Sequence, residues 1–194
     1  LLEGSVNSVG TAVDWLKEIG IMDDYSDISE AFEESGDDCN LAFLPSLSGL
    51  SSPYMKPGLK GTVFELTTDT TRHDLIKSLI LGLAKRCSEV THALEDVSGI
   101  TAEKVISDGG VSNSDDFLQA LADFTDKEVS RPEMLDGSPY GSFLLARNIL
   151  EGKDPIEEWD SLEIDESFQP DEQVRENFKE SWEKRVEPYC CDVD

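Results

Sequence analysis

Positive charge is scarce in this sequence: 16 Lys and Arg face 42 Asp and Glu over 194 residues, a formal net charge of −26. A surface that acidic repels the phosphates of nucleic acid and anionic lipid, which excludes both as partners. It gives a nucleotide no long-range attraction either, so a nucleotide site would rely on local backbone dipoles and metal. The acids are spread along the chain with apolar periodicity between them, so the charge reads as solubility or salt adaptation of a folded protein, not as disorder. Long apolar runs are also lacking, and nothing approaches the roughly 18 consecutive apolar residues of a membrane helix. The opening LLEGSVNSVG has no initiator Met and no basic start, which excludes a secretory signal and reads as a chain that begins inside something larger.

Cysteine and histidine are few, four and two respectively. Cys39, Cys87, Cys190 and Cys191 form no CxxC pair and have no neighbouring His, which argues against a zinc site. Cys87 falls on the apolar side of a predicted helix, the ordinary place of a buried free thiol, and Cys190 and Cys191 read as tail thiols without a site. A reducing, cytoplasmic setting is the simplest home for them. His73 and His92 share one predicted helix without a triad-like partner and read as helix-surface residues. The serine-rich SLSGLSS has no nucleophile-elbow pattern. GxGxxG and GK[ST] are absent as well, so neither the Rossmann fingerprint nor the P-loop applies.

What is present is an alternation of short strands and helices with glycines at strand exits, the pattern of an α/β protein whose ligands bind at the carboxyl ends of strands. Residues 1–6 read as the end of a strand, followed by a helix carrying Val9, Val13, Trp15, Leu16 and Ile19. An acidic surface segment with a short helix leads to a strand at Leu41–Leu44, a Pro/Gly/Ser-rich loop and a second strand in GTVFELT. The spacing of Leu75, Leu79, Leu83, Cys87, Val90 and Leu94 predicts a deeply packed helix over 71–96, started by Thr71 with Asp74 and ended by Gly99. A strand at 104–107, a helix with Phe117, Leu118 and Leu121, a short strand at 128–130 and a helix from Gly141 to Gly152 follow. Residues 153–169 read as an acidic linker, and 170–187 as a polar helix with Val174, Phe178 and Trp182 as its seam. The domain division expected is 1–152 and 153–194.

The most informative stretch is VISDGGVSNSDDF at 105–117, an apolar strand that stops on Asp108-Gly109-Gly110 and runs into a helix capped by Ser114. Glycines there remove side chains that would block approach, and a helix N-terminus presents unpaired N–H groups to a phosphate or other polar ligand. The alternative is plain tight-turn chemistry. Gly10 with Asp14 marks a second strand–helix junction, which packing explains equally well.

Four segments in register resemble the FGGY carbohydrate kinases, specifically their glycerol kinase branch: LLEGSVNSVGTAVDWL, LPSLSGLSSPYMKPGLKGTVFELT, SDGGVSNSDDFLQALAD and VSRPE. Together they cover residues 1 to about 150, and FQPDEQVRENFKESWEKRV resembles the family's terminal helix. The resemblance implies a ribonuclease H-like (actin-like ATPase) domain with a mixed sheet flanked by helices, namely most of the second domain of such a kinase. Its first domain and the catalytic base would lie upstream, so no catalytic residue is assigned, and none of Asp14, Asp108 or Asp123 matches that base. ATP and Mg2+ are the implied cofactors and glycerol the implied small polyol partner; a homo-oligomer is left open. By the same resemblance Gly10 would meet the phosphate end and Asp14 would stand where the family often has a Gln. Gly109 and Gly110 would form the adenosine-binding turn. Ser114 would replace a nucleotide-contacting Asn, with Asn113 as its substitute.

The sequence departs from the family at Asp14 and Ser114, at Met55-Lys56 in place of Trp-Asp, and at SPYGSF in place of TALGAA. Asp14 brings negative charge near a polyphosphate, which is unfavourable unless metal or distance relieves it. Asp14 and Ser114 support a rival reading, a non-catalytic actin-like binding or regulatory module. A kinase for another sugar or polyol is a further alternative.

Overall fold

A computed structural model describes residues 2–36, 40–134, 136–155, 163–171 and 176–192. The chain opens with helix α1 (Val9–Glu18), which turns Ala12, Val13 and Leu16 inward. Helix α2 (Asp27–Glu34) has Asp27 and Glu30 in its first turn, where acids complement the helix dipole, and buries Ile28 and Ala31, one turn apart. Strands β1 (Ala42–Leu44) and β2 (Thr62–Phe64) pair antiparallel, with Phe43 opposite Val63.

Helix α3 (Arg72–Ser98) is the axis of the molecule. Thr71 and Asp74 form the expected capping box and Gly99 ends the helix in the left-handed region. Every residue from Ile76 to Ala84 is buried, so the helix is covered on all sides rather than along one stripe. It lies against α1, α2, β1 and α4 (Asp115–Thr125). At its crossing with β1 the backbones nearly touch: a Cβ on Gly82 would fall 2.1 Å from the Phe43 carbonyl oxygen.

The second sheet is mixed. Strand β3 (Lys104–Ile106) runs parallel to β4 (Glu128–Pro132) with α4 as the crossover between them, and β5 (Ile164–Phe168) joins β4 antiparallel. Between β4 and β5 lies helix α5 (Gly137–Glu151), which begins four residues before the expected Gly141 and buries only Leu144 of its described side chains. Its other large apolar residues, Phe143, Leu145, Ile149 and Leu150, are exposed.

Two further stretches differ from the sequence reading. Residues 2–6 form no strand; the Ser5 N–H donates to Ser52 Oγ at 3.3 Å and the Ser5 carbonyl accepts from Ser51 Oγ at 2.5 Å. Serine side chains of the SGLSSPY loop thus take the place of a ladder partner. The acidic segment read as linker contains β5, of which only Phe168 is buried. It is an edge strand held by its ladder and by Arg131 on β4, which pairs with Asp165 at 3.0 Å and Glu166 at 2.7 Å.

The chain closes with a helix that is α-helical over Glu176–Ser181, π-helical over Trp182–Val186 and α-helical again over Glu187–Asp192. Phe178, Trp182, Val186 and Cys190 are all buried, four residues apart at each step. An α-helix turns once in about 3.6 residues, so that spacing drifts around the axis. The wider π turn offsets the drift and keeps the four side chains on one face. Trp182 Nε1 donates to Glu89 Oε1 at 2.7 Å, and Glu89 pairs with the buried Arg86, whose guanidinium also donates to the Ser52 carbonyl. Cys190 therefore belongs to the core rather than to a loose tail, and burial pushes its thiol up to about 12. Val174 and Cys39 lie outside the described residues.

Candidate functional site

The N-terminal half of α1, the start of α2 and the turn after β3 converge on one cavity of about 500 Å³. Its lining is Val9, Gly10, Val13 and Asp14 from α1, Tyr25 and Ile28 at α2, and Gly110, Val111, Asn113 and Ser114 after β3. Five of the six candidate residues thus meet across one space: Gly10, Asp14, Gly110, Asn113 and Ser114. Gly109 stands beside it and shapes the turn, with φ 84° and ψ −177°, a conformation essentially reserved for glycine.

The other two glycines have a different status. Gly10 and Gly110 are both exposed, and a Cβ added at either would meet nothing within 4 Å. Neither has a left-handed backbone. Packing and turn geometry therefore account for Gly109 but for neither Gly10 nor Gly110, and bare backbone faces the cavity from both walls. On the α1 wall the first N–H groups of the helix have no carbonyl one turn back to donate to. Ser8, just before that helix, holds φ 65° and contacts the Ser48 hydroxyl of the SGLSSPY loop. A serine in the left-handed region next to a ligand-sized space is the sort of strain that gathers at functional sites.

On the opposite wall, Gly110–Asn113 forms a 3-10 turn leading straight into α4. Ser114 Oγ accepts from the Phe117 N–H at 3.3 Å and caps α4, so its hydroxyl has a structural job as well as a place on the cavity. Asn113 Nδ2 donates to the Gly110 carbonyl at 3.1 Å. Arg131 holds the turn from behind: its guanidinium donates to the Ser112 carbonyl at 3.1 Å and to Asp115 at 2.6 Å. The Asp108 carboxylate, before the glycines, accepts from the Gly137 N–H at 2.9 Å and fastens the start of α5 to the same turn.

Among the described residues of the lining Asp14 is the one formally charged side chain, and no Lys or Arg shares it. Its Oδ1 accepts from the Tyr25 hydroxyl at 2.5 Å. That hydrogen bond, followed by desolvation and the nearby acidic charges, raises the Tyr25 phenol above its ordinary range. Lys17 Nζ lies 4.3 Å from the centre of the Tyr25 ring. Tyr25 and Ile28 were not among the candidates, because both sit in an acidic stretch that reads as surface. The single local hint was the Ile28/Ala31 spacing, one helical turn apart. With valines and isoleucine, three amide or hydroxyl side chains (Tyr25, Asn113 and Ser114) and one carboxylate, the cavity is equipped to bind rather than to perform covalent chemistry. Among the described residues no group of three His, Cys, Asp or Glu is arranged to hold a metal, and no helix is long and apolar enough to cross a membrane.

The comparisons with known proteins agree on a family. An uncharacterised sugar kinase from Archaeoglobus fulgidus is 32% identical over 191 residues, 96% of this chain and 37% of its own length. Glycerol kinase of Bacillus velezensis is 32% identical over 190 residues, 95% of this chain and 38% of the relative. The chain therefore spans little more than a third of the curated relatives it matches. Among solved structures, the glycerol kinase of Plasmodium falciparum with ADP superposes with a TM-score of 0.80 at 24% identity, covering 92% of this chain and 36% of that one. A ligand-bound xylulose kinase from Lactobacillus acidophilus gives 0.81 at 18% identity, covering 97% and 39%. At those identities the structures establish the fold alone, which is the actin-like ATPase fold with its mixed sheet and flanking helices. The model of the C-terminal domain of the FGGY carbohydrate kinases matches residues 1–147, and the chain belongs to that family as its C-terminal domain.

Proposed function

We propose that this chain is the nucleotide-binding half of an ATP-dependent glycerol kinase and is inactive alone. In the whole protein a glycerol hydroxyl oxygen attacks the γ-phosphorus of ATP, the bond to the β-phosphate oxygen breaks, and ADP leaves with glycerol 3-phosphate as the other product. The hydroxyl proton goes to a carboxylate base that this chain does not supply. Catalysis of this kind is mostly positioning and charge stabilisation, so a domain that seats the nucleotide contributes without a reactive side chain of its own. One observation carries the reading: Gly10 and Gly110 expose bare backbone on two walls of one cavity, with no demand for glycine from the fold itself. On this view Gly10 and the α1 N-terminus meet the phosphates, and Gly109, Gly110, Asn113 and Ser114 line the nucleoside end.

The described residues do not fit a magnesium cage. Magnesium keeps several waters and binds through substrate phosphates with one or two carboxylates, so the rest of the protein would complete its shell. No step is assigned to it here. Glycerol as the acceptor rests on the glycerol kinases among the relatives. The reading places the protein in the cytoplasm, where Cys87, Cys190 and Cys191 would remain the free thiols they are. Residues 1–152 would be the body of the domain and 153–194 the extension that closes over it.

The test is a coupled ADP-release assay on the full-length protein with glycerol, xylulose and gluconate in the presence of magnesium. Turnover with glycerol is expected. Turnover with a different sugar alone keeps the kinase and replaces its substrate, an outcome to which the Met55-Lys56 departure lends some weight. No turnover with any acceptor, from folded protein, favours the non-catalytic module that Asp14 and Ser114 suggest.

A further inference from the structure

The pairing of Asp14 with Tyr25 has a consequence for which part of a nucleotide enters the cavity. Among the described residues that line the cavity Asp14 alone is charged and the rest are apolar or neutral; the ammonium of Lys17 lies close by but is seated on the Tyr25 ring. A polyphosphate inside would meet a carboxylate with no cation in the described lining to offset it, whereas a nucleoside would meet Val13, Ile28 and Val111 with its flat faces. The charged end of the ligand therefore belongs at the mouth, by the α1 N-terminus, and the uncharged end within.

A carboxylate only accepts hydrogen bonds. Against an adenine edge it would face a ring nitrogen, another acceptor, beside the exocyclic amine. A ribose offers two adjacent hydroxyl donors, and an acidic side chain on a ribose hydroxyl is a recurrent solution in nucleotide sites. Tyr25 has already engaged Oδ1, and among the described residues the carboxylate has no other partner, which leaves Oδ2 for a ligand. The Tyr25 ring is itself held by the Lys17 ammonium above its face, so the pair is oriented before anything binds.

We infer that Asp14 accepts a ribose hydroxyl of the bound nucleotide and that Tyr25 is the positioning residue that aims it, making this pair the determinant of sugar specificity in the nucleotide. The inference rests on the kinase reading above. It is tested on the full-length protein with ATP, 2′-deoxyATP, 3′-deoxyATP and GTP, comparing wild type with Asp14→Ala and Tyr25→Phe. KM is read from initial rates and Kd from calorimetry with ADP and the matching deoxy-diphosphates. Asp14 is exposed on a helix, so its truncation leaves the fold intact. In the wild type, removal of the bonded hydroxyl is expected to weaken binding about tenfold, the scale of one hydrogen bond to a charged acceptor. Asp14→Ala should erase that preference. Tyr25→Phe should shrink it by a few fold, with the change in KM and Kd rather than in kcat. An Asp14→Ala protein that still prefers ATP over both deoxynucleotides overturns the inference, and so does a wild type indifferent to the ribose. A preference for GTP that vanishes in Asp14→Ala overturns it too, by assigning the carboxylate to the base. A wild type that uses ATP but ignores the ribose sinks this inference alone; one that binds none of the nucleotides sinks the kinase reading with it.

Discussion

Gly82 and Gly110 are the same residue in opposite circumstances. At Gly82, in the middle of α3, a Cβ would sit 2.1 Å from the Phe43 carbonyl oxygen; at Gly110, and likewise at Gly10, it would touch nothing within 4 Å. The core at the α3–β1 crossing dictates its glycine by contact. Gly36, Gly58 and Gly141 are equally open, so free space alone marks no site; what sets Gly10 and Gly110 apart is that they face each other across one cavity. The difference separates a glycine that holds the domain together from two that packing leaves free to face the cavity.

The core side of that contrast should break first at Trp182. It is fully buried, packs on Phe178 with ring centres 5.7 Å apart, and ties Glu89 and through it Arg86 to the last helix. Trp182→Ala should cost about 4 kcal/mol, measured as the free energy of unfolding in urea. Gly82→Ala comes next, at about 2–3 kcal/mol, because the atom it strikes is backbone and α3 or β1 has to shift. A neutral result at Gly82 would remove the basis for the contrast.

A smaller effect is expected from Cys87, which packs against the core and whose thiol is raised from 9.0 to about 11, chiefly by burial. The folded state then holds its proton more tightly than the unfolded chain, so the contribution of this thiol to stability is flat below pH 9 and declines between pH 9 and 11. The loss attributable to this thiol should be about 1 kcal/mol at pH 10. The difference between wild type and Cys87→Ala in unfolding free energy, followed from pH 7 to 10, isolates it. Smallest of all, Gly10→Ala should leave the domain as stable as before or stabilise it by about 0.5 kcal/mol, since alanine favours a helix over glycine. The melting temperature would check it, and a marked drop would mean that the fold needs Gly10 after all.

How much of this was legible beforehand depended on whether the signal was local. Helix α3 was, because Thr71, Asp74 and Gly99 carry its ends and the apolar residues recur at helical spacing. The strand–turn–helix at 105–117 was too, since Gly109 and the Ser114 cap are read from neighbours in the chain. Tyr25 was not: it reaches Asp14 only because the acidic segment folds back beside α1, a contact that no periodicity announces. Strand β5 was hidden for a related reason. IDESF exposes four of its five residues, and its pairing depends on β4 and Arg131 rather than on a hydrophobic pattern. The opposite error arose at residues 2–6, where no strand forms and serine hydroxyls of the distant loop hold the backbone instead.

The most direct test of the central claim puts one methyl group on the cavity wall. In the full-length protein, Gly110→Ala should leave the unfolding free energy within about 0.5 kcal/mol of wild type while weakening ATP, measured by calorimetry, roughly tenfold or more. A variant that loses stability yet binds ATP as well as wild type would contradict the account, because Gly110 would then serve the fold and the cavity would not be where the nucleotide sits.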